Sequence, residues 1–278
     1  MKPILGLAAL LLGLAACSTQ QPTILPGDHV AVMSPHVLNV YPHDPDAFTQ
    51  GLEFLDDSTV VESTGGWGTS SIRLVEAATG EVLSQQNLDA EQFGEGLAIV
   101  DDQVKQLTWK DQVLHTWSLP GLEAAEPASY EGEGWGLCLR GETLWRSDGS
   151  ATLTAHDPQT FEPTGQRLQV QALGRDVDQL NELECTPEAI WANVWKDDRI
   201  VAIDPDSGAV VAVVDASSLT QIANEHNVEA GRGQLTGSNE VLNGIAVHPT
   251  TGHFWLTGKN WPVMFEVRFI DGPPGQPG

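Results

Sequence analysis

Apolar residues in this chain come in short runs rather than at helical spacing. Runs rich in Val, Ile, Leu, Trp and Thr alternate with turn signals such as Ala78-Thr79-Gly80 and Asp206-Ser207-Gly208. That is the pattern of short β-strands joined by tight turns. Five of the runs open on one frame. Thr49-Gln50-Gly51-Leu52, Phe93-Gly94-Glu95-Gly96-Leu97, Gly134-Trp135-Gly136-Leu137, Leu180-Asn181-Glu182-Leu183 and Leu242-Asn243-Gly244-Ile245 each place a polar or aromatic residue two positions before an aliphatic one. The frame aliphatics lie 45, 40, 46 and 62 residues apart.

A second β-rich run follows each frame: Val60 to Ser63, Val104 to Trp109, Leu144 to Ser147, Ile190 to Trp195 and Phe254 to Thr257. Third runs come next, such as Ser71 to Val75, Val113 to Trp117 and Arg199 to Ile203. Periods of this length with several short strands each predict propeller blades. The fold expected is all-β, a five-bladed β-propeller of four-stranded blades, with the five frame residues converging at one end of the axis. The longest gap holds one extra helix, about residues 217–230. Asp215 and Ser217 are its candidate caps, and Leu219, Ile222 and Ala223 form its apolar face. Such an excursion is either a rim beside a site or a neutral insertion.

The ends of the chain read differently. Met1-Lys2 precedes an apolar run, Ile4 to Ala16, too short to span a bilayer as a mature helix. Leu14-Ala15-Ala16-Cys17 resembles a bacterial lipobox, which is cut before a cysteine that is then lipidated. Residues 1–16 are therefore expected to be a lipoprotein signal peptide, and 17–35 a lipidated Cys17 with a flexible tether. Ser18 after Cys17 points to the outer membrane, on the periplasmic side. The domain is expected over 36–271, beginning with a strand near His36. Residues 272–278, rich in Pro and Gly, read as a disordered tail.

Composition narrows the partners. The 278 residues carry 38 acidic and 13 basic groups, a formal charge of -25, which speaks against nucleic acid. Cys138 lies one residue after its frame aliphatic and Cys185 two after, so the pair points to opposite strand faces. That favours two separate buried thiols, although an exported protein can pair them.

The frame residues Gln50, Glu95, Trp135, Asn181 and Asn243 form the candidate site. Glu95 is their one ionisable member. Partial desolvation should lift its pKa toward neutrality, as a general acid/base requires. Aligning the second runs puts Trp109, Trp195 and Lys259 at equivalent strand ends. With Phe48 and Phe93 they make an aromatic pocket holding one carboxylate and one ammonium. Trp67, Trp117, Trp145, Trp191 and Trp255 read as packing residues. The histidines show no metal-ligand spacing and read as surface or turn residues, as does the Asp44, Asp46, Asp56 and Asp57 group.

From Tyr41 to Val267 the chain resembles the plant and bacterial type of glutamine cyclotransferase. The resemblance is carried by Tyr41-Pro42-His43-Asp44, Ala47-Phe48-Thr49-Gln50-Gly51-Leu52, Glu62-Ser63-Thr64-Gly65, Phe93-Gly94-Glu95-Gly96-Leu97, Gly134-Trp135-Gly136-Leu137, Leu180-Asn181-Glu182-Leu183-Glu184, Ala192-Asn193-Val194-Trp195, Leu242-Asn243-Gly244-Ile245-Ala246 and Thr257-Gly258-Lys259-Asn260-Trp261-Pro262. It implies a five-bladed propeller that converts N-terminal glutamine of peptides or proteins to pyroglutamate with loss of ammonia. It implies Glu95 as the catalytic acid/base. It also implies Phe48, Gln50, Phe93, Trp109, Trp135, Asn181, Trp195 and Lys259 as pocket residues. No metal or other cofactor is implied, unlike the unrelated zinc-dependent animal type. The self-contained fold suggests a monomer that meets the membrane only through its lipid. Two other classes fit a propeller: a calcium-dependent lactonase or esterase, and a non-catalytic binding module. Trp135 on the ring and the cation of Lys259 count against the calcium site.

Overall fold

The structure, a computed structural model, describes residues 30–236 and 239–272. The expected signal peptide, Cys17 and all but the first residue of the expected tail lie outside them. The chain begins with a long strand, β1 (Ala31–Pro42). Three four-stranded antiparallel sheets follow. The first is β2 (Thr49–Phe54), β3 (Thr59–Thr64), β4 (Ser71–Glu76) and β5 (Val82–Asn87). The second is β6 (Gly94–Val100), β7 (Gln103–Thr108), β8 (Val113–Ser118) and β9 (Ala128–Ser129). The third is β10 (Leu137–Arg140), β11 (Thr143–Arg146), β12 (Thr152–His156) and β13 (Pro163–Gln169). A two-stranded ribbon, β14 (Gln171–Ala172) and β15 (Arg175–Asp176), comes next.

An eight-stranded sheet completes the chain. One half is β16 (Leu180–Cys185), β17 (Ile190–Val194), β18 (Arg199–Ile203) and β19 (Val210–Asp215). After the helix α1 (Ser217–Glu229), the other half adds β20 (Leu242–Val247), β21 (Phe254–Gly258) and β22 (Val263–Asp271), with β1 beside β22. The second and third runs read from the sequence coincide with strands β3, β7, β11, β17, β21, β4, β8 and β18.

Strand β1 is the clasp. It runs antiparallel to β22 from Met33↔Asp271 to Pro42↔Val263, and parallel to β19 from Ala31↔Ala212 to Met33↔Val214. The first domain strand therefore starts at Ala31 rather than near His36, inside the stretch expected to be tether. Its half-buried residues owe their order to partners roughly 180 to 240 residues away in sequence, which local composition does not reveal.

The sheets form a circuit. Leu52 and Val60 of the first sheet pack with Trp255 and Met264 of the last half. Val61 and Ile72 meet Leu97 and Val104 of the second sheet. Val100 and Leu107 meet Leu137 and Leu144 of the third. Trp145 and Leu153 meet Leu183 and Ile190, and Ile200 and Val214 meet Leu256 and Phe265. Each sheet thus buries both faces, one against each neighbour. The architecture is all-β and strand-dominated, consistent with a propeller.

The same geometry corrects the reading of the cysteines. Cys138 and Cys185 form a disulfide, with their Cα atoms 5.4 Å apart. They do point to opposite faces of their strands, but they sit on neighbouring sheets. Opposite faces are the ones that meet at such an interface. Helix α1 also differs in detail. Its N-cap is Ala216, with no side-chain cap, and Asp215 Oδ1 accepts the Ser217 N–H at 3.1 Å. Leu219 and Ala223 are buried and Ile222 is half-buried.

At the centre, four frames keep glycine after the variable residue. A Cβ on Gly96 would lie 2.6 Å from Gly136 Cα, and one on Gly136 would lie 2.1 Å from Asn181 O. The fourth frame has Glu182 instead. Its carboxylate crosses to the other strands, accepting the Ile245 N–H at 2.9 Å and the Leu52 N–H at 3.4 Å. Burial raises its pKa well above the carboxylate range, against those two N–H groups.

Candidate active site

The strand ends above this centre share one hydrogen bond. The N–H of Gly65, Trp109, Trp195 and Lys259 each donates to the carbonyl two residues before the frame position, on Phe48, Phe93, Gln179 and Val241, at 2.8–2.9 Å. The equivalence of Trp109, Trp195 and Lys259 is thus a matter of backbone register. Ties between sheets fix the ring. Ser63 Oγ donates to Glu95 O and accepts from Gln106 Nε2. Ser147 Oγ donates to Asn181 O at 2.6 Å and accepts from Gly136 N at 2.7 Å. Asn193 Oδ1 accepts from Gly244 N at 3.0 Å.

One cavity of about 650 Å³ opens over this ring. All nine site residues line it: Phe48, Gln50, Phe93, Glu95, Trp109, Trp135, Asn181, Trp195 and Lys259. Asn243, the fifth frame residue, does not. It is fully buried and donates through Nδ2 to Thr49 O at 2.9 Å and toward Gln50 Oε1 at 3.4 Å. The rings pack edge to face. Phe93 contacts Phe48, Trp109 and Trp67, and Trp135 contacts Trp195 at 5.4 Å between centroids.

The polar groups converge inside this aromatic wall. Glu95 is 5% exposed and Lys259 3%. Burial pushes the Glu95 carboxyl well above its ordinary range; Lys259 opposes that shift and Glu133 adds to it. Burial likewise lowers Lys259 to about 8, with Glu95 holding it up. Lys259 Nζ lies 4.9 Å from the centre of the Phe48 ring. Asn181 Oδ1 is buried and has no hydrogen-bond partner. The arrangement supplies one proton-transfer group, one cation and the amides of Gln50 and Asn181 in a desolvated cup. Among the described residues, no group of three or more His, Cys, Asp and Glu is placed to hold a metal ion.

One member of the site was missed in the sequence. Glu133 Oε2 accepts both the Trp109 and the Trp135 indole N–H, at 2.8 and 3.0 Å, while Lys110 Nζ lies 3.5 Å from Oε1. Although partly buried, Glu133 is held below the ordinary carboxylate range by these donors. The indole N–H groups of Trp109 and Trp135 are therefore committed to Glu133. The signal was available: Glu133 stands two before Trp135, as Phe48 and Phe93 stand two before Gln50 and Glu95.

Other assignments change as well. Trp67 is 57% exposed and lines the cavity, whereas Trp117, Trp145 and Trp255 are packing residues as expected. His43 is buried, not superficial. Its ring bonds Trp261 O and Glu62, and Glu62 pairs with Arg73, which reaches Asp44. His156 is buried too, bonded to Phe161 O. Asp46 lines the cavity rim and pairs with Arg232 from the segment after α1.

The sequence profile of the glutamine cyclotransferase family matches residues 7–269. The chain belongs to that family. A glutaminyl-peptide cyclotransferase of Arabidopsis thaliana is similar, 37% identical over 236 residues, which is 84% of this chain and 70% of that protein. Among solved structures, the glutaminyl cyclase of Myxococcus xanthus matches with a TM-score of 0.79 and 39% identity. The match covers 88% of this chain and all of that one. Of the motifs that carry the resemblance in sequence, those around Phe48, Glu95, Trp135, Asn181, Trp195 and Lys259 line the cavity here.

Proposed function

We propose that this chain cyclises the N-terminal glutamine of peptides and proteins to pyroglutamate, releasing ammonia. The observation that carries the reading is Glu95, buried with a raised pKa beside Lys259 at the bottom of an aromatic cup. The α-amine nitrogen attacks the side-chain carbonyl carbon, closing the five-membered ring. Glu95 takes the proton that the amine sheds and hands it to the departing amide nitrogen, whose bond to carbon then breaks as ammonia leaves. A raised pKa suits both transfers near neutral pH. The positive charge of an arriving α-ammonium draws Glu95 back toward the ionised form in which it can accept.

Lys259 stabilises the oxyanion that develops on the carbonyl oxygen. The Gln50 and Asn181 amides, both on the cavity wall, orient the substrate's amine and carboxamide. The aromatic wall holds the glutamine folded so that amine and carbonyl meet, which is the entropic share of the catalysis. Trp109 and Trp135 act through shape, since Glu133 occupies their N–H groups.

We read the architecture as a five-bladed propeller. Three separate sheets and the two halves of the eight-stranded sheet make five units, each opening on one frame, and β1 joins the last to its neighbour. The lipobox-like Leu14-Ala15-Ala16-Cys17 supports an exported protein held by lipid at Cys17 to the periplasmic face of the outer membrane, and the self-contained fold supports a monomer.

The deciding experiment is ammonia release from a Gln-initiated peptide, with mass spectrometry of the product. Wild type should yield a product lighter by one ammonia, and Glu95→Gln should be slower by about a hundredfold or more. Equal activity of the two proteins would remove Glu95 from the mechanism.

A further inference from the structure

A glutamine alone does not account for the cavity. Its volume of about 650 Å³ lies in the range that holds drug-sized molecules. The buried groups Gln50, Glu95, Asn181 and Lys259 occupy its deep end. The cyclised residue stays bonded to the rest of its peptide, so the second residue must lie toward the mouth. Trp67 stands there. Among the described residues it is the one exposed tryptophan, 57% accessible.

Its turn, Gly65-Gly66-Trp67-Gly68, is fixed to the catalytic strand. Thr69 N and Ser70 N donate to Gly66 O at 3.0 and 2.9 Å. Ser70 Oγ donates to the same oxygen at 2.8 Å and accepts the N–H of Gly94, the residue before Glu95, at 2.9 Å. Gly65 lets the turn press onto the pocket, since a Cβ there would lie 2.3 Å from the Phe93 ring. The Trp67 ring rests edge to face on Phe93 at 5.5 Å, leaving the rest of its surface open. Across the mouth the lining is polar: Asp46, Lys196, Asn239 and Asn260.

We propose that Trp67 forms a second subsite, which binds the side chain of the residue following the N-terminal glutamine and favours an aromatic one. The inference rests on the cyclotransferase reading, which seats the glutamine against Glu95. The turn is preorganised by bonds to the catalytic strand, so little ordering opposes binding. An aromatic pair on this surface is worth about a tenfold preference.

The test compares ammonia release from Gln-Phe-amide and Gln-Gly-amide by wild type, Trp67→Phe and Trp67→Ala. Wild type should favour Gln-Phe-amide by about tenfold, expressed in KM. Trp67→Phe should keep most of that preference. Trp67→Ala should erase it while leaving turnover of Gln-Gly-amide unchanged. Equal KM values in wild type, or a preference that survives in Trp67→Ala, overturns the proposal. So does a loss of Gln-Gly-amide turnover in Trp67→Ala, because the indole would then serve the glutamine itself. Absence of ammonia from both peptides with wild type defeats the cyclotransferase reading and this proposal with it. Turnover without preference defeats this proposal alone.

Discussion

Reducing the Cys138–Cys185 disulfide should cost about 4 kcal/mol of stability at 25 °C. The two cysteines are 47 residues apart in sequence and tie the third sheet to the next one. Chain entropy for a loop of that length gives roughly 14 cal/mol/K, hence the figure. For a domain of this size that corresponds to a midpoint lower by about 8–16 °C. The measurement is urea or thermal unfolding of the same wild-type protein, oxidised and reduced, which keeps the side chains identical. Peptide mapping of the oxidised protein should find Cys138 and Cys185 joined. Cyclisation of Gln peptides at 25 °C should hardly change, because Ser147 anchors Asn181 locally whether or not the bond is intact. A stability difference under about 1 kcal/mol, or two free thiols in the oxidised protein, would refute the reasoning.

Four other outcomes are expected. Removing the Lys259 charge, as in Lys259→Met, takes away what lowers Glu95, so the acid limb of kcat/KM should move to higher pH; Glu133→Gln should move it lower. Glu62 is buried, yet Arg73 and His43 hold it at about 2 against 4.5 ordinarily. Its stabilising contribution is present above 4.5 and lost as pH falls toward 2; denaturant midpoints should show that loss, and Glu62→Gln should flatten it. His43 is raised, burial notwithstanding, by Glu62, so its contribution is complete below pH 6.5 and fades as pH climbs through the folded value. In the cell, Cys17→Ala should move the protein from the membrane to the soluble fraction; an unchanged distribution would remove the lipid anchor.

The strands were legible because each frame repeats a local pattern, and the strand-end register of Trp109, Trp195 and Lys259 followed from it. That the nine candidate residues would share one cavity was legible for the same reason, since most of them occupy repeated positions. What escaped depended on neighbours in space. The disulfide was hidden because strand faces were compared within strands and not across the interface between two sheets. Trp67 looked like a packing residue because nothing local shows that Gly65 and Gly66 turn it outward at the cavity. Val32 and its neighbours looked like tether because their partners, β19 and β22, lie at the other end of the chain. His43 looked superficial because Glu62 and Arg73 are distant in sequence.

Glu182 joins three inner strands at one point: its own, that of Leu52 and that of Ile245. The floor beneath the cavity is therefore tied across the ring as well as around it. In the proposed reaction ammonia is set free at the deep end of the cavity, beneath a co-product whose chain lies toward the mouth. It leaves beside that chain or waits until the cyclised peptide departs. On that reading the order of exit, and not only the bond-breaking step, bears on turnover.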